Sequence, residues 1–405
     1  KETTRARLFN KLLDKDNKII VLIDLSDSDE EQSIFDTINS AGVRLSGTDI
    51  VKNAIFQRAI DLLDIEQATQ LHDEYWDSIF SGDEDAQTFW TAKKATGRLM
   101  RDNSEILLQS IAVIKGIFDP DEHTLSDLPD LYKKHIATLE ADKIPPFIKE
   151  VHEYASTYRS TIPDFDGSAL FSYRDNRRRL FHILDACEIT TFHPYIMFLI
   201  RKYKDDSSPL NERLLSLESL VVKRMIAGLE TRSYNKLCKE FILKENVDDK
   251  IAGIGDDDVS MGLERISNKN ASLLLFWIEL YRRHKDSKQS VQELKYDYSL
   301  EHLMPQKWED HWSSVPIVED GGKIIENPEN AKIHRNKRIY SIGNMTLLNS
   351  RLNTSLRNFA LDRKIEGDGR KKGIRQYSEL WITKDDVLSR YDSGNKTWDE
   401  KSIFD

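Results

Sequence analysis

The chain has 405 residues, with 59 Lys and Arg against 69 Asp and Glu for a net charge of −10, and 39% of its residues are hydrophobic. That length carries two or three domains with a sizeable core, and no apolar run approaches the roughly 18 residues of a membrane span. Only Cys187 and Cys238 are present, which excludes a disulfide scaffold or a Cys-rich zinc site and suits a reducing, cytoplasmic compartment. A first residue of Lys rather than Met points to a piece of a longer protein, so the lack of a signal peptide carries little weight.

Residues 18–25 (KIIVLIDL) form a short β-branched run that predicts a buried strand. A helix follows, with Ser28 and Glu31 in capping-box spacing and Asn39 to Gly42 as its stop. The next helix starts near Thr48 or Asp49, and Val51, Ile55, Ala59 and Leu62 recur along one face. From about 60 to 290 the pattern stays helical, as in Leu214, Leu217, Val221 and Met225, with breaks at Gly82, Pro120, Pro145-Pro146 and Pro163 to Gly167. Arg177-Arg178-Arg179 reads as a solvated or ion-paired helix face, or as a DNA contact. Trp76, Trp90 and Trp277 read as core, and His182, His193 and Cys187 are too loosely spaced for a zinc site.

After about Ser290 the character changes. Tyr296 to Leu300 alternates like a strand, residues 313–330 read as a loop-rich insertion, and Ile339 to Leu348 reads as strand, Gly-Asn turn, strand. A helix from Asn349 then carries Leu352, Leu356, Phe359 and Ile365. Charge concentrates here as well. Residues 331–375 hold 12 Lys and Arg against three acids, a net +9 that leaves −19 for the rest. The expected class is mainly α with a small α+β C-terminal unit.

Four side chains in that unit suit phosphodiester hydrolysis: Glu301, His302, Asn344 and Asn353. The reaction needs a base for water and charge neutralisation at the phosphate. A His titrates near neutral pH, and a carboxylate with an amide carbonyl can hold one Mg²⁺ while leaving positions open. Adjacent strand residues point to opposite faces unless the strand bends, and Pro305 suits a bend. Taken alone, however, a Glu-His pair is more often a surface carboxylate beside a hydrogen-bonded His, and Asn344 after Gly343 is simply a turn residue.

EHLMPQ at 301–306, Trp308 and Trp312, SIGNMTLLNSRLN at 341–353, then Asn358-Phe359 and Lys364, and the closing segment Tyr377 to Thr383 with Trp398 and Ile403 resemble the C-terminal HNH nuclease domain of GmrSD-type restriction systems. These are modification-dependent and phage-defence endonucleases, with SspE-like relatives. IFDTINSAGVRLSGTDIVKNAIF (34–56) resembles the end of the ParB-like domain that precedes the nuclease in that family. The resemblance implies three parts: 1–60 as the tail of a ParB-like domain, 61–290 as a helical domain, and 291–405 as a ββα-metal (HNH) nuclease. It implies His302 as general base, Asn344 as the brace of the loop and the His, and Glu301 with Asn353 as ligands of Mg²⁺ or Mn²⁺. Many family members carry His at the last position, and Asn349 and Asn358 are its competitors. Arg351, Arg357, Lys364, Lys371 and Lys372 would contact DNA phosphates. The implied partner is DNA, including modified phage DNA, cut singly or by two copies acting together, with no membrane. The DGQQR-type motif for nucleotide hydrolysis does not occur in the chain, so no NTPase activity is expected of it. Two rival readings remain open: a DNA-binding or regulatory module on an inactive nuclease fold, which the basic segment would serve as well, and an RNA nuclease.

Overall fold

A computed structural model describes residues 46–405 apart from 97–98, 164, 205–206, 246, 287, 289–290, 357–358 and 395. The strand expected at 18–25, the helix after it and the first half of the 34–56 motif lie outside these residues.

The described chain is mainly helical. Helix α1 (Gly47–Leu62) starts where Ser46 and Asp49 close a capping box, and it buries Val51, Ile55 and Ala59 as the spacing predicts. Helices α2 (Asn103–Ile114), α3 (Ile144–Thr161), α4 (Asn176–Ala186), α5 (His193–Tyr203), α6 (Ser207–Ile226), α7 (Tyr234–Lys244) and α8 (Asn268–Lys285) build the middle of the chain. Their apolar faces share one large core that holds Trp76, Trp90 and Trp277. Two short elements interrupt the helical reading: the antiparallel pair β1 (Lys93–Thr96) and β2 (Leu99–Asp102), and strand β3 (Leu170–Ser172). In the arginine run, Arg179 is buried against Glu218 at 2.8 Å, Arg178 lies over Phe165 and Phe171, and Arg177 is exposed.

The C-terminal part is sewn onto this bundle. Strand β4 (Glu293–Lys295) pairs with β3, so a boundary at 290 leaves β4 bonded to the helical part. Strands β5 (Tyr298–His302) and β6 (Met345–Asn349) then form an antiparallel pair, with Tyr298 opposite Asn349 and His302 opposite Met345. Pleating divides this pair into two faces. Met345 and Leu347 join the large core, whereas Leu348 joins a second core with Leu303, Trp308, Leu352, Ile365 and Trp398. Buried Glu279 of α8 accepts from the Ile382 amide at 3.0 Å and from Arg283 at 2.6 Å, which pins the closing segment to the bundle.

Between the strands, the insertion expected at 313–330 is loop only to 327. Asn327 caps a helix, α9 (Pro328–Arg338), with Pro328 at its first position. Residues 339–341 are therefore not strand: a 3₁₀ turn, Ile342–Asn344, leads into β6. From Ser350 the chain makes two short helices, α10 (Ser350–Leu356) and α11 (Leu361–Glu366), and it closes on α12 (Glu400–Phe404). Arg335 of α9 is fully buried, bonded to Glu400 of α12 at 2.5 Å and donating to the carbonyls of Trp312, Val315 and Pro316. Gly343 sits where the turn meets α12, and a Cβ there would lie 1.9 Å from the Ile403 carbonyl oxygen. Gly343→Ala should therefore displace α12 and cost about 1–3 kcal/mol, read as a lowered thermal unfolding midpoint.

Candidate active site in the β5–β6 hairpin

The hairpin and α10 set the positions of all four candidate side chains. Asn344 is fully buried at the start of β6. Its Oδ1 accepts from the Met304 amide at 2.9 Å and from Trp398 Nε1 at 3.3 Å, while Nδ2 donates to the carbonyls of Met304 at 2.8 Å and Ile339 at 3.0 Å. One side chain thereby ties the loop after β5, the end of α9 and the C-terminal segment. The Leu303 amide donates to the Asn344 carbonyl at 2.9 Å and carries the ladder one residue past His302. Asn344 is thus placed to hold the backbone beyond His302.

Glu301 is buried, 8% exposed, and its Oε1 accepts from Lys364 Nζ at 2.5 Å. Lys364, on α11, is 1% exposed, and it also donates to the carbonyls of His302 at 2.7 Å and Leu303 at 3.1 Å. Its three N–H groups are spent inside the protein. The expected phosphate contact by Lys364 is therefore corrected: α11 packs its basic side chain inward as a clamp on the end of β5. Burial raises the Glu301 carboxyl and lowers the Lys364 ammonium, each opposed by the other's charge.

Asn353 is half-buried on α10. Its Nδ2 donates to Leu300 O at 2.9 Å and to Ser299 Oγ at 3.2 Å. Both amide protons are committed to β5, so the side chain is fixed and its carbonyl oxygen carries no bond among the described residues. Ser299 and Glu301 share one face of the strand by alternation, which puts Asn353 and Glu301 on the same side. By the same alternation His302, last in the strand and opposite Met345, falls on the other face, the one shared with Leu300 and Leu347. Its Nε2 is buried without a hydrogen-bond partner. Burial, and secondarily the charge of Lys364, lowers the His302 pKa, so the ring is neutral at neutral pH with an unspent nitrogen. No hydrogen bond joins Glu301, His302 and Asn353 to one another among the described residues. Asn349, the competitor of Asn353, is exposed and bonds the Arg351 amide at 3.0 Å, whereas Asn358 lies outside the described residues.

Among the described residues no group of three or more His, Cys, Asp and Glu side chains could hold a metal ion. The donor set at the hairpin is of another kind: one carboxylate with a free Oε2, one oriented amide oxygen and one imidazole. Two hard oxygens fit a weakly held divalent cation that keeps several waters. Lys364 offsets part of the carboxylate's charge and weakens that hold.

The basic segment is largely spent internally. Lys332, Lys337 and Arg338 pair with Glu309, Glu264 and Asp320, Arg363 pairs with Asp368, and Arg375 bridges Glu366 and Asp392. Arg351, Arg370, Lys371 and Lys372 are exposed and unpaired among the described residues. Arg370 was not singled out from the sequence. The turn that carries it is built, with Asp368 accepting the amides of Arg370 at 3.1 Å and Lys371 at 2.8 Å. Arg357 lies outside the described residues.

Residues 254–404 match the family model of the C-terminal domain of GmrSD restriction endonucleases. No curated protein and no solved structure matches the chain. The match does not extend to residues 34–56. No helix among the described residues is long and apolar enough to cross a membrane.

Proposed function

We propose that residues 254–404, which belong to the C-terminal domain family of GmrSD restriction endonucleases, make this chain a divalent-metal-dependent DNA endonuclease of a restriction and phage-defence system, working through Glu301 and His302 on a ββα-metal hairpin. The observation that carries the reading is the unpartnered, buried Nε2 of a neutral His302, next in sequence to Glu301, inside the segment that matches the endonuclease domain. A structural His normally finds a partner for a buried nitrogen.

The residues divide the work as follows. His302 Nε2 takes the proton of the attacking water. Asn344 and Lys364 hold the backbone from His302 to Met304, the first through the Met304 amide and carbonyl, the second through the His302 and Leu303 carbonyls. Glu301 Oε2 and Asn353 Oδ1 are the oxygens that would hold Mg²⁺ or Mn²⁺. The cation's chemistry is charge neutralisation at the scissile phosphate. Because Nε2 is sealed from solvent in the free protein, the attacking geometry requires the ring to become accessible to water when substrate binds. Apo catalytic sites are often incompletely assembled in this way.

DNA is held by the unpaired cations. Neutralising Arg370, Lys371 and Lys372 together should weaken binding alike across sequences. The slope of log affinity against log salt should flatten by about 2–3, at about 0.9 per phosphate contact. An unchanged slope in a filter-binding salt series would leave these side chains as solvated surface.

Radiolabelled duplex DNA and duplex RNA, each incubated with the chain in Mg²⁺ and in excess EDTA, test the reading. Cutting of DNA only, and only with the cation, is expected. Cutting of RNA alone would establish the RNA-nuclease alternative, and tight DNA binding without cutting would establish the inactive DNA-binding module. Modified against unmodified DNA in the same assay reads the modification dependence.

A further inference from the structure

The helical middle contains a cavity of about 430 Å³ between the C-terminal half of α2, the 118–125 loop, the turn before α5 and the start of α7. The family match does not reach it. Its volume lies within the roughly 300–1,000 Å³ of small-molecule sites.

Its polar wall offers donors. Arg101 is half-buried, and among the described residues its only side-chain hydrogen bond is from Nη1 to Gln109 Oε1 at 3.3 Å. No carboxylate lies within salt-bridge distance of it among the described residues, although Glu105 is near enough to feel its charge. The His123 Nδ1 accepts the Asp119 amide at 3.0 Å, which places the proton of the neutral ring on Nε2 as a donor. Thr190, Thr191 and Asn235 line the cavity with side chains that make no hydrogen bond among the described residues. The one carboxylate in the lining, Glu188, is taken by Lys269 at 2.7 Å. Exposed Arg232 adds a cation to the lining.

The lining also has apolar side chains, Val113, Phe118, Leu125, Ile189 and Tyr234. Cys187 and Cys238 line the cavity as well, but burial pushes their thiols up to about 11 and about 12. They are protonated there, so neither is a nucleophile or a metal ligand.

A partly desolvated guanidinium without an acid partner calls for an anion. The geometry points to a binding site for a phosphate monoester of nucleotide size, its phosphate on Arg101, His123 Nε2 and the Thr190 and Thr191 hydroxyls, and its organic body against the apolar side chains. This site is independent of the hairpin, so its test needs no cleavage.

Calorimetric titration of the full chain with inorganic phosphate and with adenosine 5′-monophosphate tests it, with thermal unfolding as a check on folding. The monophosphate should bind saturably, one per chain, and more tightly than phosphate alone. Arg101→Gln should weaken it roughly 10- to 100-fold, the worth of a charged hydrogen-bond partner. Arg101→Lys, which keeps the charge without the fork, should fall between and covers the case of a misfolded glutamine variant. Equal binding of phosphate and monophosphate would overturn the nucleotide-sized ligand. Absent saturation, or affinity unchanged in both variants, would overturn the site and leave a water-filled cavity.

Discussion

His302→Ala is expected to lower divalent-metal-dependent DNA cleavage by about 10²–10⁴-fold, the usual contribution of a general base, while fold and DNA affinity stay near wild type. The ring can be removed at small structural cost because its Nε2 has no hydrogen-bond partner to abandon. The residue's backbone, not its side chain, is what Lys364 and the β5–β6 ladder hold. The affinity should be unchanged because the unpaired cations, Arg351 and Arg370 to Lys372, are elsewhere in the unit. Single-turnover cleavage measured beside a binding isotherm separates these effects. A variant with near wild-type cleavage would remove His302 from the chemistry, whatever else the domain does.

Lys364→Met is expected to destabilise the C-terminal unit by about 3–5 kcal/mol, because it leaves Glu301 as an uncompensated buried carboxylate. The same change strips the donor that fixes the His302 and Leu303 carbonyls. A double variant, Lys364→Met with Glu301→Leu, should regain much of that stability, since replacing both partners of a buried pair by apolar groups is often neutral. Urea unfolding followed by tryptophan fluorescence reads both, as Trp308, Trp312 and Trp398 all lie in the second core. A single variant as stable as wild type would mean that Glu301 has another way to be satisfied.

The strongest local signals in the sequence carried through to the structure. Helix α1 starts at Gly47, one or two residues before the expected Thr48 or Asp49, and the 3.6-residue spacing of Val51, Ile55 and Ala59 names its buried face. The alternation from Tyr296 to Leu300 and the apolar run after the Gly-Asn turn mark the two strands that pair, Tyr298 with Asn349 through His302 with Met345. What was not legible depends on partners far along the chain. Lys364 looks like any other member of a +9 segment, and only the fold sets it 2.5 Å from Glu301, 63 residues away. Charge counts likewise cannot tell Arg335, sealed against Glu400, from Arg370, which faces solvent. Helix α9 was lost to its composition, polar and preceded by a Gly-Gly turn, although Asn327-Pro328 is an ordinary helix start. The β1–β2 pair is too short and too polar for alternation to register.

On the proposed function, the β5–β6 pair cuts DNA with the help of a divalent cation. Supercoiled plasmid, incubated with the wild-type chain in Mg²⁺ and followed by agarose gel, tests it most directly. Conversion to nicked or linear circles is expected, stopped by chelation and restored by added Mg²⁺ or Mn²⁺. Plasmid that stays supercoiled, modified or not, at protein concentrations that saturate DNA binding would contradict it.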